Sequence, residues 1–293
     1  MLEHLKTSGI KVGILDFGDG RSFLQEPLAP VNQEFREKLA STLEEEGFEV
    51  ILGDEVIWKN EIAVRNGKRL AAEDVDVTLF NFSVWAWPQY ARVAAQFCPQ
   101  PIVMFSNINP SYPGLVGMLA NSGSLDQAGI PFTKNFGDIE DPTVKRRLTA
   151  QLIGIAAAHR LKGLTYALIG GRSLGIDTTV IDPAQWMKEF GIDVDHVDQF
   201  EIVRRSEMEL KTGERVSASL AYLKKHVRKI HWTEPDAKFR LTEELLRKQL
   251  AMYYGVIDLI EEFKYDFCGI KGQRELSEHF ATPDVAEAFL NDL

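Results

Sequence analysis

The feature that most constrains the fold is a repeated alternation of short apolar runs with amphipathic helical patterns. Three runs in the first half are rich in β-branched or aromatic residues and are followed by turn residues: KVGILDF (11–17), VDVTLFNF (75–82) and PIVMFSN (101–107). Each run predicts a buried strand. The segment 31–47 places Phe35, Leu39 and Leu43 on one face and predicts a helix that ends at Gly47. This alternation predicts a mainly parallel sheet with helices on both faces.

A second series of the same kind follows residue 141. A helical pattern over 142–163 leads to further strand-like runs, which are TYALIG (165–170), IDVDHVD (192–198) and YDFCGI (265–270). A long helical pattern occupies the stretch from about 215 to 263. We place the domain boundary in the turn FGDIED (136–141). The sequence therefore predicts two consecutive open α/β sandwich domains, 1–140 and 141–293, with mainly parallel sheets of the Rossmann or flavodoxin type.

Charge and composition exclude several classes of protein. The net charge of −10 argues against a general affinity for nucleic acid or for an anionic membrane. The first residues lack a cationic leader with an apolar core, and no apolar run approaches the ~18 residues of a membrane span. Two cysteines, Cys98 and Cys268, do not make a disulfide framework. We expect a cytoplasmic protein with no nucleic-acid partner and no membrane partner.

Five loops are candidates for ligand binding, because ligands bind beyond the carboxyl ends of the strands in an open α/β sheet. They are DFGDGR (16–21), SVWAWP (83–88), NINPSYPG (107–114), GGRSLGID (170–177) and KGQRE (271–275). The glycines of GDGRSF and GGRSLG do not have the spacing of a dinucleotide-binding fingerprint, which argues against a nucleotide. Motifs of the common hydrolases and of phosphoryl transfer are missing from the sequence.

Side chains in these loops allow alternative interpretations. Arg21 is placed to reach a ligand oxygen, or to lie in solvent on a tight turn. Trp85 and Trp87 alternate along the chain, which predicts that one faces the core and the other faces the cleft, where an indole can stack on a sugar. Core packing is the alternative for both tryptophans. Residues 170–177 either present backbone amides to a ligand or allow close packing of a helix on a strand.

The stretch CGIKGQRELSEHF (268–280) is dense in polar groups. Glu275, Glu278 and His279 have the spacing of one helix face, where three such side chains could hold a metal ion. The alternative is the acidic, solvated first turn of a helix.

Five segments together resemble the N-terminal portion of the L-fucose isomerase family, which is related to the L-arabinose isomerases. They are VGILDFGDGR, SVWAWP, NINPSYPGLVGMLANSGSLDQAGIPF, LIGGRSLGIDTTVIDPAQW and DFCGIKGQRELSEHF, in family order and spread over nearly the whole chain. The resemblance implies an intramolecular oxidoreductase of carbohydrate metabolism that interconverts an aldose and a ketose using a divalent cation, usually Mn²⁺. It also implies a homo-oligomer of full-length subunits with active sites between subunits.

The chemistry implied by the resemblance needs groups that this sequence is not expected to contain. Moving a proton between C2 and C1 needs a base beside C2, and the developing enediolate needs a cation. Two carboxylates and a histidine suit Mn²⁺. The resemblance implies that these ligands lie beyond residue 293, and Glu275, Glu278 and His279 do not match their positions. We therefore expect a truncated second domain, no catalytic or metal-ligating residue, no bound Mn²⁺, and no activity from this chain alone.

The resemblance implies substrate-binding roles for Arg21, Trp85, Lys271, Gln273 and Arg274. Trp85 and the loop of Asp19 and Arg21 would face the site of a neighbouring subunit, whereas KGQRE would lie beside the sugar. An arginine of the fucose enzymes is replaced by Leu15, and a glutamine common among them is replaced by Lys271.

The expected substrate is L-fucose, D-arabinose, L-arabinose or a similar sugar. Two alternatives stay open. One is a non-catalytic cytosolic module for sugar binding or assembly, and the other is a compact metalloenzyme built on Glu275, Glu278 and His279.

Overall fold

The protein divides into two compact units, Met1–Arg160 and Leu161–Leu293. A computed structural model describes residue 7 and residues 9–233 and 241–291. Both units consist of parallel strands that alternate with helices, which confirms the predicted α/β class.

The first unit is built on five parallel strands in the order β2-β1-β3-β4-β5. The strands are β1 (Lys11–Phe17), β2 (Glu49–Leu52), β3 (Val77–Phe82), β4 (Ile102–Ser106) and β5 (Phe132–Phe136). The helices are α1 (Gln25–Glu45), α2 (Asn60–Ala72), α3 (Gln89–Ala94), α4 (Gly114–Gln127) and α5 (Pro142–Arg160). The central strands β3 and β4 are buried along their whole length, as their apolar runs predict.

Successive side chains of the central strands enter two separate cores, because side chains alternate between the faces of a sheet. Leu15, Phe17 and Phe80 pack with α2, α3 and α4 on one face. Ile14 and Leu79 pack with α1 and α5 on the other face. The first unit therefore has helices on both sides of its sheet.

Helix α5 belongs to the first unit, although the turn proposed as the domain boundary precedes it. Leu148, Leu152 and Ala156 recur at helical spacing, are fully buried, and share a core with the first sheet. Arg160 at the end of α5 donates to the Asp76 carboxylate at 2.6 Å. The structure therefore divides about twenty residues after the turn 136–141.

The second unit contains three parallel strands in the order β7-β6-β8. The strands are β6 (Thr165–Ile169), β7 (Asp193–Val197) and β8 (Phe267–Ile270). The helices are α6 (Pro183–Phe190), α7 (Gln199–Thr212), α8 (Glu214–His226), α9 (Glu243–Phe263), α10 (Glu275–His279) and α11 (Asp284–Leu290). The predicted helical stretch from about 215 to 263 thus contains two helices, with residues 227–233 non-helical and 234–240 outside the described residues.

The two faces of this smaller sheet are covered differently. Ala167 and Ile169 are fully buried against α7 and α9. The opposite face carries Tyr166 and Phe267 and is covered by α6, which has no buried residue. The Asp182 side chain caps α6 by accepting from the Ala184 and Gln185 amides.

Among the described helices, none combines the length and the apolarity needed to cross a bilayer.

Candidate functional site

Two of the candidate loops of the first unit lie side by side because the strands that lead into them are paired. Strands β1 and β3 are in parallel register, with Asp16 opposite Asn81 and Phe17 opposite Phe82. Gly20 in the first loop lies directly against the second, since a Cβ at Gly20 would be 2.5 Å from the Trp87 ring. The DGR turn and the tryptophan loop therefore form one surface.

The Arg21 guanidinium folds back onto Asp19. Its Nε donates to Asp19 Oδ1 at 2.8 Å, and a terminal nitrogen donates to Oδ2 at 2.5 Å. The Gln25 side-chain amide fixes the turn by donating to the Asp19 and Arg21 carbonyls at 2.5 and 3.0 Å. Chiefly because of the hydrogen bond from Arg21, the pKa of Asp19 is lowered. Arg21 is thus held in one orientation, yet 51% of its side chain stays exposed.

The two tryptophans of the second loop differ in exposure. Trp85 is half-buried, and its backbone lies close to Gly117 of α4. Trp87 is 37% exposed and stacks on Tyr90, with ring centroids 6.2 Å apart and planes inclined by 5°. Trp87 is the indole against the DGR turn. The substrate contact assigned to Trp85 by resemblance stays a prediction, and Tyr90 is a neighbour that the sequence did not indicate.

A buried polar group lies beneath this surface at the end of β1. The Asn81 amide donates to Asp16 Oδ1 at 2.8 Å, and Arg36 Nε lies 3.3 Å from Oδ2. Burial raises the pKa of Asp16, while Arg36 and the hydrogen bond from Asn81 act in the opposite direction. The adjacent Leu15 has an apolar side chain that is fully buried in the core, and therefore it cannot contact a sugar.

The second unit contains a cavity of about 540 Å³ at the carboxyl ends of β6 and β8. The KGQRE loop supplies one wall, since Lys271 and Gln273 both line the cavity. The Lys271 ammonium lies 2.7 Å from Glu275 Oε2, and only 15% of the Lys271 side chain is exposed. The sequence-predicted residues Lys271 and Gln273 are therefore brought together at one polar wall.

Arg274 does not line this cavity. It has φ 66° and ψ −107°, in a region that residues with a Cβ rarely adopt, and it precedes α10. Its carbonyl accepts from the Glu278 amide at 2.7 Å, which fixes the start of α10. The structure places the Arg274 side chain on the exposed surface, so its contact with a sugar stays a prediction.

Gly170 in the 170–177 loop favours the packing interpretation. Gly170 has φ 108°, and a Cβ there would lie 2.6 Å from Lys271 Cβ. The Gln199 side-chain amide donates to the Lys271 carbonyl. Gly170 thus allows the ends of β6 and β8 to approach closely enough to shape the cavity.

Two family models together match most of the chain. The model for the first N-terminal domain of L-fucose isomerase matches residues 9–163, and the model for the second N-terminal domain matches residues 164–261. The chain belongs to the L-fucose isomerase family. The two family domains meet close to the structural division after Arg160.

Curated members of the family align with nearly the whole chain. L-fucose isomerases of Klebsiella pneumoniae subsp. pneumoniae and Citrobacter koseri are each 24% identical over 322 residues, and that of Escherichia coli O9:H4 is 24% identical over 321. Each alignment covers 98% of this chain and 54% of the relative. The chain therefore spans about half the length of the curated L-fucose isomerases that it matches.

The described residues do not fit the divalent cation that the family resemblance implies. Within residues 9–233 and 241–291, no three or more His, Cys, Asp or Glu side chains come together in a group that could hold a metal ion. Glu275, one of three candidate ligands with Glu278 and His279, pairs with Lys271 instead. The compact metalloenzyme alternative thus has no ligand cluster in the described part of the chain.

The two aspartates of the first loop should give opposite pH dependences. The folded pKa of Asp16 is raised above 3.8, so its contribution to stability declines as the pH rises above 3.8 towards that folded value. The folded pKa of Asp19 is lowered, so its contribution is present above 3.8 and declines as the pH falls below 3.8. The stability of Asp16→Asn relative to wild type should therefore increase as the pH rises. Asp19→Asn should be less stable than wild type near neutral pH, and this difference in stability should disappear in acid.

Urea unfolding of both variants and of wild type between about pH 3 and 7 measures these differences. Because Asp19 is only three residues from Asp16, it is a matched control for effects of pH on the rest of the unit. A stability difference for Asp16→Asn that does not change with pH would show that Asp16 titrates normally in the folded protein.

Proposed function

We propose that this chain forms the N-terminal portion of a cytosolic, metal-dependent aldose–ketose isomerase that acts on L-fucose, D-arabinose, L-arabinose or a similar sugar. Family membership supports the reaction class. The observation that carries the proposal is the cavity of about 540 Å³, because the polar KGQRE loop, one of the segments that resemble the family, contributes to its lining. A polar, open cavity of this size can hold a monosaccharide with its hydroxyls hydrogen-bonded.

In this proposal the residues of the chain bind and orient the sugar. The Lys271 ammonium donates to a sugar hydroxyl, and the Gln273 amide both donates and accepts. The proton transfer between C1 and C2 also needs a base and, in the family, Mn²⁺ to stabilise the negative charge. We assign those groups to the part of the full-length protein that the chain does not span.

The surface of the first unit has a separate place in the proposal. The loop of Arg21 is followed by Phe23, which is 70% exposed. The loop of Trp85 also carries the exposed Trp87. We assign this surface to the sugar site of a neighbouring subunit in a full-length homo-oligomer. Asp19 then acts as a positioning residue, because it fixes the Arg21 guanidinium.

The proposal predicts sugar binding without turnover by the purified chain. Calorimetry should detect binding of at least one of L-fucose, D-arabinose and L-arabinose, with a dissociation constant in the millimolar range. Incubation with the same aldoses and Mn²⁺ should yield no ketose, measured by chromatography of the products. Ketose formation that is lost on chelation would show that the chain contains a complete active site. Failure of all three sugars to bind would contradict the assignment of the cavity as a sugar-binding site.

A non-catalytic sugar-binding module is the second candidate, because the cavity and its polar lining residues would serve sugar binding without a metal ion. The two candidates differ in affinity and in their relation to metal. Micromolar binding of a sugar that is unchanged by Mn²⁺ and by EDTA would favour the binding module. Weak binding by this chain, together with turnover by a protein that carries the remaining family residues, would favour the isomerase.

A further inference from the structure

Two aromatic side chains line the same cavity as the KGQRE loop. Tyr166 of β6 and Trp186 of α6 both line the cavity, and their ring centroids are 5.3 Å apart with an interplanar angle of 32°. Both side chains are half-buried, so each presents part of its ring surface to the open space. Neither ring lies in the main core of the unit, which is on the other face of the sheet.

The position of Trp186 is fixed by the local sequence. Helix α6 begins at Pro183 after the Asp182 cap, and it ends at Gly191, whose φ of 71° is left-handed. Phe190 supports the indole at one edge, with ring centroids 5.8 Å apart and planes inclined by 79°. Because both ends of this short helix are capped and Phe190 packs against the indole, the Trp186 ring is held in place before any ligand binds.

Gly269 of β8 also lines the cavity, and its lack of a side chain makes room for Tyr166. A Cβ at this position would overlap the Tyr166 hydroxyl. Glycine therefore lets the tyrosine lie across the sheet while its ring remains on the cavity wall. Phe267 also packs against this ring, with centroids 5.0 Å apart.

The charges that line the cavity point to an uncharged ligand. Lys271 is the one cationic side chain in the lining that the structure describes, and it is paired with Glu275. Asp284 and Glu287 also line the cavity, and burial followed by the charge of Asp284 raises the pKa of Glu287. Two carboxylates against one paired ammonium would repel a phosphate group. Hydroxyls of a neutral sugar, by contrast, can donate to these carboxylates.

We propose that Trp186 and Tyr166 form an aromatic platform for the C–H face of a neutral monosaccharide, whose hydroxyls face Lys271, Gln273 and Glu287. This inference rests on the proposed function and adds two sugar-contacting residues to it. Sugars present an apolar face of C–H groups together with an edge of hydroxyls. Aromatic rings together with mixed donors and acceptors in one cavity lining match those two surfaces.

The test uses the whole chain labelled with 5-fluorotryptophan, which gives one fluorine signal for each of its five tryptophans. Titration with L-fucose or D-arabinose should shift the Trp186 signal and leave the Trp232 signal unchanged. Trp232 is a matched control because it is an exposed indole of the same unit outside the cavity lining. Signals are assigned by single Trp→Phe variants.

Binding measured by calorimetry gives the second readout. Trp186→Leu keeps an apolar side chain on α6 and should raise the dissociation constant of the aldose about five- to tenfold, whereas Trp186→Phe should restore most of the affinity. Trp232→Leu should have no effect. Thermal unfolding of each variant shows whether the unit remains folded.

Three results would overturn the inference in distinguishable ways. If wild type and Trp186→Leu bind the aldose with equal dissociation constants and the Trp186 fluorine signal does not shift, the aromatic platform is wrong. That result leaves the proposed isomerase portion intact. Binding of no neutral sugar to wild type removes both the platform and the cavity as the site. Tighter binding of a sugar phosphate than of the neutral sugar contradicts the assigned ligand class.

Discussion

Gly117→Ala is expected to destabilise the first unit by about 2 kcal/mol, although alanine is the better helix former. Gly117 lies in α4, where a Cβ would be 2.9 Å from both the Ala86 nitrogen and the Val84 oxygen. These are backbone atoms of the loop that carries Trp85, so they cannot rotate away as the end of a side chain can. The Asn121 amide also ties α4 to this loop by donating to the Ala86 carbonyl at 3.1 Å.

Gly123→Ala provides the control within the same helix. Gly123 is exposed, and a Cβ there would meet no heavy atom within 4 Å. Its substitution should stabilise the helix by about 0.5–1 kcal/mol. Hydrogen exchange of the β3 and β4 amides measures both changes, with the β6 amides as an internal reference.

If Gly117→Ala and Gly123→Ala change stability equally, then α4 does not pack on the tryptophan loop as described. If Gly117→Ala alone is costly, the loop that carries Trp85 and Trp87 is held by backbone contact with α4. The surface proposed to face a neighbouring subunit would then be rigid before any partner or sugar binds.

The strands of the first sheet could be predicted because burial on both faces leaves a continuous apolar run. The runs at 11–17, 75–82 and 101–107 coincide with β1, β3 and β4 to within two residues at either end. The same reasoning did not place α5. Its periodicity identifies an amphipathic helix, but a single apolar stripe does not specify whether the helix covers the sheet that precedes it or the sheet that follows it in the sequence.

The loops of the candidate site could be located from the sequence, because parallel strands carry their carboxyl ends to one edge. Side-chain partners within those loops could not be located in the same way. Asp19 and Arg21 are two residues apart, yet sequence alone does not show that the carboxylate holds the guanidinium. Tyr166 and Trp186 are twenty positions apart and meet only because α6 folds over β6.

Replacement of Gly269 in β8 should have a large effect on the stability of the second unit. Gly269→Ala is expected to destabilise it by about 2 kcal/mol, because the new methyl group would occupy the position of the Tyr166 hydroxyl. The ring cannot easily move aside, since Trp186 and Phe267 pack against it with centroids 5.3 and 5.0 Å away. Hydrogen exchange of the β6 and β8 amides measures the loss.

A double-mutant cycle with Tyr166→Phe identifies the cause. Removing the hydroxyl leaves Tyr166 Cζ as the nearest ring atom, 3.1 Å from the new Cβ, a tight contact that a small shift relieves. Tyr166→Phe alone should cost less than about 1 kcal/mol, and Gly269→Ala in that background should cost less than about 0.5 kcal/mol. The two substitutions should therefore be strongly non-additive. Additive costs would instead mean that Gly269 is required for backbone reasons unrelated to the tyrosine.

The same cycle connects strand packing to the proposed ligand site. In the single variant Gly269→Ala, the new methyl group displaces the Tyr166 hydroxyl, and the Tyr166 ring lines the cavity. Strain at this ring should disturb the cavity lining, and aldose binding should fall together with stability. The double variant should recover both. Recovery of stability without recovery of binding would show that the Tyr166 hydroxyl itself contacts the sugar, which would make it a binding group as well as a packing group.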